Sequence, residues 1–260
     1  MTTKALVNYH VKSHQPQAFL FDVDGIVGNL ISPELVETNV DVQDLRDKLC
    51  EVNFNDDGIL FTHSPSEIRQ FEPHKNWQAQ YDEETTALLK HSIAAEEVIV
   101  FDHTLRVDRL DAERKPARNV HNDYSPKGAR QRLIDLVGNK GAAKFQAGHF
   151  GFVNVWRPVE HTITASPLGF IRPGSMQSED WMTIELIYPD RKGQILGVAN
   201  NPEHEWFYQS NMQPDEVIIF NIYDNKERPH LAHSALDIAD QSVSRLPRKS
   251  IETRTLVRYA

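Results

Sequence analysis

The stretch Arg118-Asn-Val-His121-Asn-Asp123-Tyr-Ser-Pro126 decides how this chain is read. In a strand, residues i and i+2 project to one face, so His121 and Asp123 point together into a barrel while Asn122 points away. Directly after it, Ser125 as cap and Pro126 in the first turn predict a helix over about 127–137. Outward from this point β-like runs dominate: 97–101, 150–156, 182–188, 194–199, 205–208, 216–223 and 250–259. Turn residues separate them, among them Pro158, Pro173-Gly174, Pro189-Asp190, Asn200-Asn201-Pro202 and Pro214-Asp215. Many short, evenly spaced strands predict a sandwich, barrel or jelly roll.

The composition shifts near residue 95. Before it two helical patterns are expected. Val42, Leu45, Leu49 and Val52 stand at helical spacing behind Asp41 as N-cap, and 82–91 carries Ala87, Leu88 and Leu89 after an acidic first turn. The expected organisation is one domain over 1–260, with a mixed helical region over 1–95 and a β core over 96–260.

Composition narrows the function. Hydrophobic residues make up 40% and charged residues 25% of the 260, enough apolar material for a sizeable core and too much for a disordered chain. Lys+Arg 28 against Asp+Glu 37 leaves a net charge of -9, so no broad basic footprint invites nucleic acid or an anionic membrane. Cys50 is the lone cysteine, which excludes an intrachain disulfide and a Cys-based zinc or iron–sulfur site. Twelve histidines still permit a metal held by nitrogen and oxygen. Residues 1–17 lack a continuous apolar run, and segments such as 98–101 and 217–220 are too short to span a bilayer. A soluble, cytoplasmic protein is expected.

One imidazole and one carboxylate make two corners of a 2-His-1-carboxylate facial triad, which leaves coordination positions on Fe(II) open for a co-substrate and O₂. His121-x-Asp123 is the only such pair in the sequence. The third ligand must come from a distant strand; His233 is well placed after the run 216–223, and His230 is its competitor. Arg248-Lys-Ser250 follows 15 residues after His233, at the entrance of the last strand. A guanidinium fork with a hydroxyl two residues on is what the distal carboxylate of 2-oxoglutarate needs. Arg254 shares that face by parity and is a second candidate. The alternative is that Arg245, Arg248, Arg254 and Arg258 are a basic, solvated C-terminus.

A different chemistry is offered by Phe19-Leu-Phe-Asp22-Val-Asp24-Gly25, which matches the aspartate pair of haloacid-dehalogenase-type phosphatases. Asp22 would be nucleophile and Asp24 general acid beside Mg²⁺. That needs a parallel α/β sheet, whereas the surrounding sequence reads as antiparallel β. A strand ending in an Asp-Gly turn is the favoured reading of this segment.

Five segments occur in an order that resembles a known family: Val100-Phe-Asp-His-Thr-Leu-Arg106, Val120-His-Asn-Asp-Tyr-Ser-Pro126, Asn154-Val-Trp-Arg-Pro158, His233-Ser-Ala-Leu-Asp237 and Pro247-Arg-Lys-Ser-Ile-Glu-Thr-Arg254. Together with Asn55-Asp-Asp-Gly-Ile-Leu-Phe-Thr-His63 they resemble Fe(II)/2-oxoglutarate oxygenases of specialised metabolism. Gibberellin desaturase-like and cephamycin methoxylation-associated proteins and fungal meroterpenoid oxygenases belong to that family. The likeness runs from about residue 50 to the C-terminus. It implies a mainly β fold with flanking α-helices, a double-stranded β-helix of the cupin-like jelly-roll kind. It further implies Fe(II) held by His121, Asp123 and His233, with 2-oxoglutarate and O₂ as co-substrates and a small-molecule substrate hydroxylated, desaturated or cyclised. By the same likeness Arg248 and Ser250 anchor 2-oxoglutarate, with Asn154 and Arg157 lining the same pocket. Trp206 and Tyr208 share one strand face and form either an aromatic wall of the substrate pocket or part of the core. A cupin-like module that binds a small ligand without turnover is the non-catalytic alternative.

Overall fold

The structure, a computed structural model, describes residues 2–13, 15–26, 29–72, 76–238 and 246–260. The chain opens with β1 (Thr2–His10) and β2 (Gln17–Phe21), and a tight turn leads to β3 (Leu30–Ile31) and β4 (Leu35–Asp44). A short helix α1 (Phe54–Asp57) precedes β5 (Ile59–His63), and α2 (Gln78–Ile93) leads into the long β6 (Ala95–Val107). Next come β7 (His121–Asn122), α3 (Pro126–Gln146), β8 (His149–Pro158) and β9 (Leu168–Ile171). The remainder is β10 (Trp181–Ile187), β11 (Lys192–Val198), β12 (Trp206–Tyr208), β13 (Glu216–Asp224), β14 (His233–Ala235), β15 (Asp237–Ile238) and β16 (Lys249–Tyr259).

The strands form two sheets. An 11-stranded sheet runs β15-β1-β4-β12-β9-β14-β7-β11-β10-β2-β3, and a 5-stranded sheet runs β5-β13-β8-β16-β6. Their facing surfaces hold the largest core cluster, which draws Phe170 and Phe207 from the large sheet and Phe61, Phe152, Trp156, Phe220 and Leu256 from the small one. Two sheets closed face to face around one core are a jelly roll, as expected. The outer face of the small sheet carries a second apolar layer: Val153, Val155, Val217, Ile219 and Val257 pack with Leu89 and Ile93 of α2.

The helix expected over 82–91 lies within α2. The helix expected over about 127–137 is the first half of α3, where the Ser125 Oγ accepts the Gly128 N–H at 3.0 Å and Pro126 takes the first turn. Its expected end coincides with a break at Gly138, whose φ of 68° lies in the left-handed region that glycine enters at little cost. The helix expected over 42–52 is not there. Residues 35–44 are the strand β4, paired antiparallel with β1 over nine residues, and only a 3-10 turn at Leu49–Glu51 follows. The physical reason is cross-strand packing: β-branched Val40 and Val42 sit opposite Ala5 and Thr3, and burial in the sheet outweighs the helical spacing of Leu45, Leu49 and Val52. Residues before 95 therefore contribute β1 and β4 to the large sheet as well as a helix.

Candidate metal centre

Strand β7 is only two residues long, held between β11 and β14. Its pairing with β14 sets His121 directly opposite His233, so both imidazoles emerge on one face with ring centroids 4.5 Å apart. On the other side of β7, His121 faces Gly197, where a Cβ would come within 2.7 Å of the His10 ring and 2.8 Å of Ile184. Glycine there lets the His10 ring and Ile184 close on the strand beside the imidazole. Asp123 lies one residue beyond the strand, and the alternation still carries it to the face of His121. Between them Asn122 turns away, donating to the Tyr124 and Ile222 carbonyls at 3.1 and 2.9 Å.

One ligand atom from each of His121, Asp123 and His233 lies within 4.8 Å of the others. The Asp123 Oδ1 is 3.4 Å from His121 Nε2 and 3.9 Å from His233 Nε2. Each Nδ1–H donates to a backbone carbonyl two residues earlier, Asn119 O at 2.8 Å and Leu231 O at 3.1 Å. Those bonds fix the tautomer and turn the Nε2 lone pairs inward, as a metal-ligating histidine requires. The competitor His230 lies instead against Trp181, ring centroids 4.8 Å apart, and joins no such cluster among the described residues.

The second Asp123 oxygen reaches across to the small sheet. It accepts from Asn154 Nδ2 on β8 at 2.9 Å and from Arg254 Nε on β16 at 3.1 Å. Burial pushes the Asp123 pKa up, but the Arg254 charge and the two imidazoles more than offset it and hold the carboxyl well below its usual range. Burial, with His121 as neighbour, pushes His233 down to about 3. A carboxyl whose pKa is held low beside a buried imidazole whose pKa is pushed down suits the binding of a divalent cation.

The inward arginines divide into two kinds. Arg254 is committed: Nη1 pairs with Asp102 at 2.7 Å, Nη2 with Glu252 at 2.6 Å, and Nε with Asp123. It positions the carboxylate, and each of its three nitrogens already faces a carboxylate. Arg248 is only 2% exposed, donates to Ser250 Oγ at 3.0 Å and to the Ser166 carbonyl at 2.7 Å, and lies 5.0 Å over the Trp156 ring. Among the described residues no carboxylate pairs with it, and burial, followed by the charge of Arg106, lowers its pKa to about 9. The Trp156 indole N–H beside it is also buried without an acceptor. A buried cation and a buried donor, both lacking an anion, fit the distal carboxylate of a dicarboxylic acid. A solvated basic C-terminus describes only Arg258, which pairs with Glu96 and Glu97; Arg245 lies outside the described residues.

Arg106 is a residue the sequence reading passed over. On β6 it stands opposite Ser250, on the inner face with Thr104 and Asp102, and among the described residues its guanidinium donates to the Lys115 carbonyl alone, at 2.8 Å. The alternation Asp102-x-Thr104-x-Arg106 would have revealed it. Three other segments lie away from the metal ligands. Arg157 stands three residues from Asn154 and so faces the opposite side of β8, where it donates to Ser64 O and stacks on Tyr81 of α2. Trp206 and Tyr208 pack on the outer side of the large sheet with Val7, Val42 and Val198, and the Trp206 Nε1 donates to Tyr9 Oη at 2.8 Å. Phe207 between them is the inward ring, 5.8 Å from Phe170, which in turn lies 6.1 Å from His233. The segment with Asp22 and Asp24 is a strand followed by a tight 3-10 turn between β2 and β3, with Asp22 in the left-handed region. Among the described residues the segment sits at the edge of a mixed sheet, β2 pairing parallel with β10 and antiparallel with β3.

Comparison with known proteins agrees with this geometry. Residues 8–258 match the family model described as "Oxidoreductase/YMDC permease-like domain". The chain is 30% identical to the hydroxylase/desaturase efuI of Hormonema carpetanum, covering 83% of this chain and 82% of that protein. It is 26% identical to the alpha-ketoglutarate-dependent dioxygenase tstK of Talaromyces stipitatus, over 85% and 84% of the two chains. Among solved structures, the iron and alpha-ketoglutarate-dependent endoperoxidase NvfI has the same fold, with a TM-score of 0.82 at 22% identity over 100% of this chain and 98% of that one. The match starts at residue 8, within β1 and well before the residue 50 that the motifs suggest. The chain belongs to this family of oxidoreductases, the one that takes in the Fe(II)/2-oxoglutarate-dependent dioxygenases and hydroxylase/desaturases.

Proposed function

We propose that this protein is a single-domain, cytoplasmic Fe(II)/2-oxoglutarate-dependent oxygenase that oxidises an unactivated C–H bond of a small molecule in specialised metabolism. His121, Asp123 and His233 hold Fe(II), and Arg248 with Ser250 receives the distal carboxylate of 2-oxoglutarate. The observation that carries this reading is the convergence of three ligand atoms within 4.8 Å, beside a buried guanidinium that lacks a carboxylate. Bound Fe(II), with 2-oxoglutarate and O₂, supplies the oxidising power to take a hydrogen atom from such a bond, leaving succinate and CO₂ as co-products.

The remaining work falls to the chain. Asn154 and Arg254 hold Asp123 ionised and oriented. The carbonyls of Asn119 and Leu231 hold the imidazole tautomers. Phe170, Phe207 and Phe220 wall the site against water on the side of His233, and Phe19, Ile184 and Ile195 form an apolar cluster beside Gly197. Such walls suit a largely hydrocarbon skeleton. No helix among the described residues is long and apolar enough to cross a membrane.

Succinate formation is the test. It should require both Fe(II) and 2-oxoglutarate and vanish in His121→Ala and Asp123→Ala. Turnover that survives both substitutions would overturn the assignment. Binding of 2-oxoglutarate without any turnover across a broad metabolite screen would favour the non-catalytic module instead.

A further inference from the structure

Arg157 does not serve the metal centre, and its own surroundings are unusual for a charged group. It is 3% exposed, on the outer face of the small sheet; Nη1 donates to the Ser64 carbonyl at 3.0 Å, and its other close polar neighbour is the neutral Tyr81 hydroxyl. The guanidinium carbon lies 5.4 Å from the centre of the Tyr81 ring, and Nε has no acceptor. No carboxylate among the described residues makes an ion pair with it. Glu84, on the same helix as Tyr81, is bonded to Ser66 Oγ at 2.5 Å and to the Glu67 N–H at 3.0 Å. Leaving a buried cation without a counter-charge is costly.

Next to this cation is a cavity of about 290 Å³, lined by Ser66, Ile68, Arg69, Phe71, Arg157 and Val159 among others. Among its described lining residues one is acidic, Glu160, which pairs with Lys249 at 2.5 Å, and Asp215 beside the lining Pro214 lies within electrostatic reach of Arg69. The cavity thus holds two cations, a buried guanidinium inside and the exposed Arg69 at its rim, beside apolar walls of Ile68, Phe71 and Val159. A guanidinium fork matches a planar carboxylate, and the walls match a short hydrocarbon tail.

We propose that this cavity is a second ligand site, separate from the metal centre, which binds a short-chain aliphatic carboxylate against Arg157. The carboxylate supplies the counter-charge that the fold withholds, and the tail covers Phe71 and Val159.

The probe is sodium butyrate, titrated calorimetrically into the full-length protein, with sodium chloride at matched ionic strength and neutral butyramide as controls. Butyrate should bind, and butyramide should not. Arg157→Gln should weaken butyrate about tenfold to a hundredfold, the usual effect of losing a charged hydrogen-bond partner. Since that variant removes a buried group, two others keep the test secure. Arg69→Gln, at the exposed rim, should weaken binding a few-fold, and Ile68→Trp should abolish it by filling the cavity while leaving Arg157 in place. Arg248→Met should leave butyrate affinity unchanged. The proposal fails if butyrate binds no better than chloride, if Ile68→Trp binds it normally, or if affinity is lost in Arg248→Met and kept in Arg157→Gln.

Discussion

Replacing Arg254 by Met probes how the small sheet prepares Asp123. The side chain is nearly isosteric along its stem but carries no charge, and three carboxylates depend on the guanidinium: Asp123 at 3.1 Å, Asp102 at 2.7 Å and Glu252 at 2.6 Å. Asp102 is 40% exposed at its side chain and can turn to water, so its loss counts for little. Asp123 and Glu252 are 10% and 7% exposed and would be left buried without their counter-charge. Breaking a buried pair in this way costs about 3–5 kcal/mol, a large share of the roughly 5–15 kcal/mol that holds a domain folded. The sign of the pH effect follows from Asp123. With its pKa held below the usual 3.8, the wild-type group contributes stability above that pH and loses it only as the pH falls further. Without Arg254, burial dominates and raises the pKa, so the carboxyl takes up a proton at a higher pH and competes with metal. Urea unfolding of the metal-free protein, paired with calorimetric Mn(II) titrations between pH 5 and 8, measures both effects. Arg254→Met should unfold at markedly lower urea and bind Mn(II) progressively more weakly as the pH falls. Stability within about 0.5 kcal/mol of wild type, a change typical of neutral surface substitutions, together with an unchanged pH profile, would refute the role given to Arg254.

The other predictions concern separate parts of the account. Arg248→Met should raise the apparent KM for 2-oxoglutarate by about tenfold to a hundredfold in a succinate assay, since it removes a charge-assisted hydrogen bond to the co-substrate. Asn154→Ala frees one oxygen of Asp123 and should cost about 10–100-fold in metal affinity, measured by Mn(II) calorimetry. Metal-free protein should lose stability as the pH falls below 6.5. His10 and His233 are buried neutral, with pKa values pushed down by burial to about 4 and about 3. Each contributes stability above pH 6.5 and gives up about 2 kcal/mol by pH 5, readable as a falling Tm. Ser125→Ala removes the cap of α3 and should destabilise by about 1 kcal/mol in urea unfolding, with little change in metal affinity.

Strand parity and local chemistry made much of this molecule legible before any coordinates. His121 and Asp123 are two residues apart, and the alternation that places them together is a property of the backbone. The cap at Ser125 is likewise local, while the continuation of α3 past Gly138 to Gln146 is not. What escaped was non-local. Nothing within 42–52 says that β1 will pair with β4, so the helical spacing of Leu45 and Leu49 points to a helix where cross-strand burial decides for a strand. Trp206 and Tyr208 do share a face, but which face looks toward the metal depends on the far neighbours of β12. Arg157 was recoverable: an odd separation from Asn154 already places it on the other side of the sheet. The division of labour between Arg248 and Arg254 was not, because both lie on one strand face and only the packed carboxylates of Asp102, Asp123 and Glu252 show which is already engaged.

The central claim is that His121, Asp123 and His233 form one iron site with 2-oxoglutarate beside it. An anaerobic titration of the metal-free protein with Fe(II), followed by 2-oxoglutarate, tests it most directly. Wild type should bind one Fe(II) per chain and take up 2-oxoglutarate tightly only after iron, while His121→Ala, Asp123→Ala and His233→Ala each lose the iron step. Undiminished one-to-one iron binding in all three variants would contradict the account.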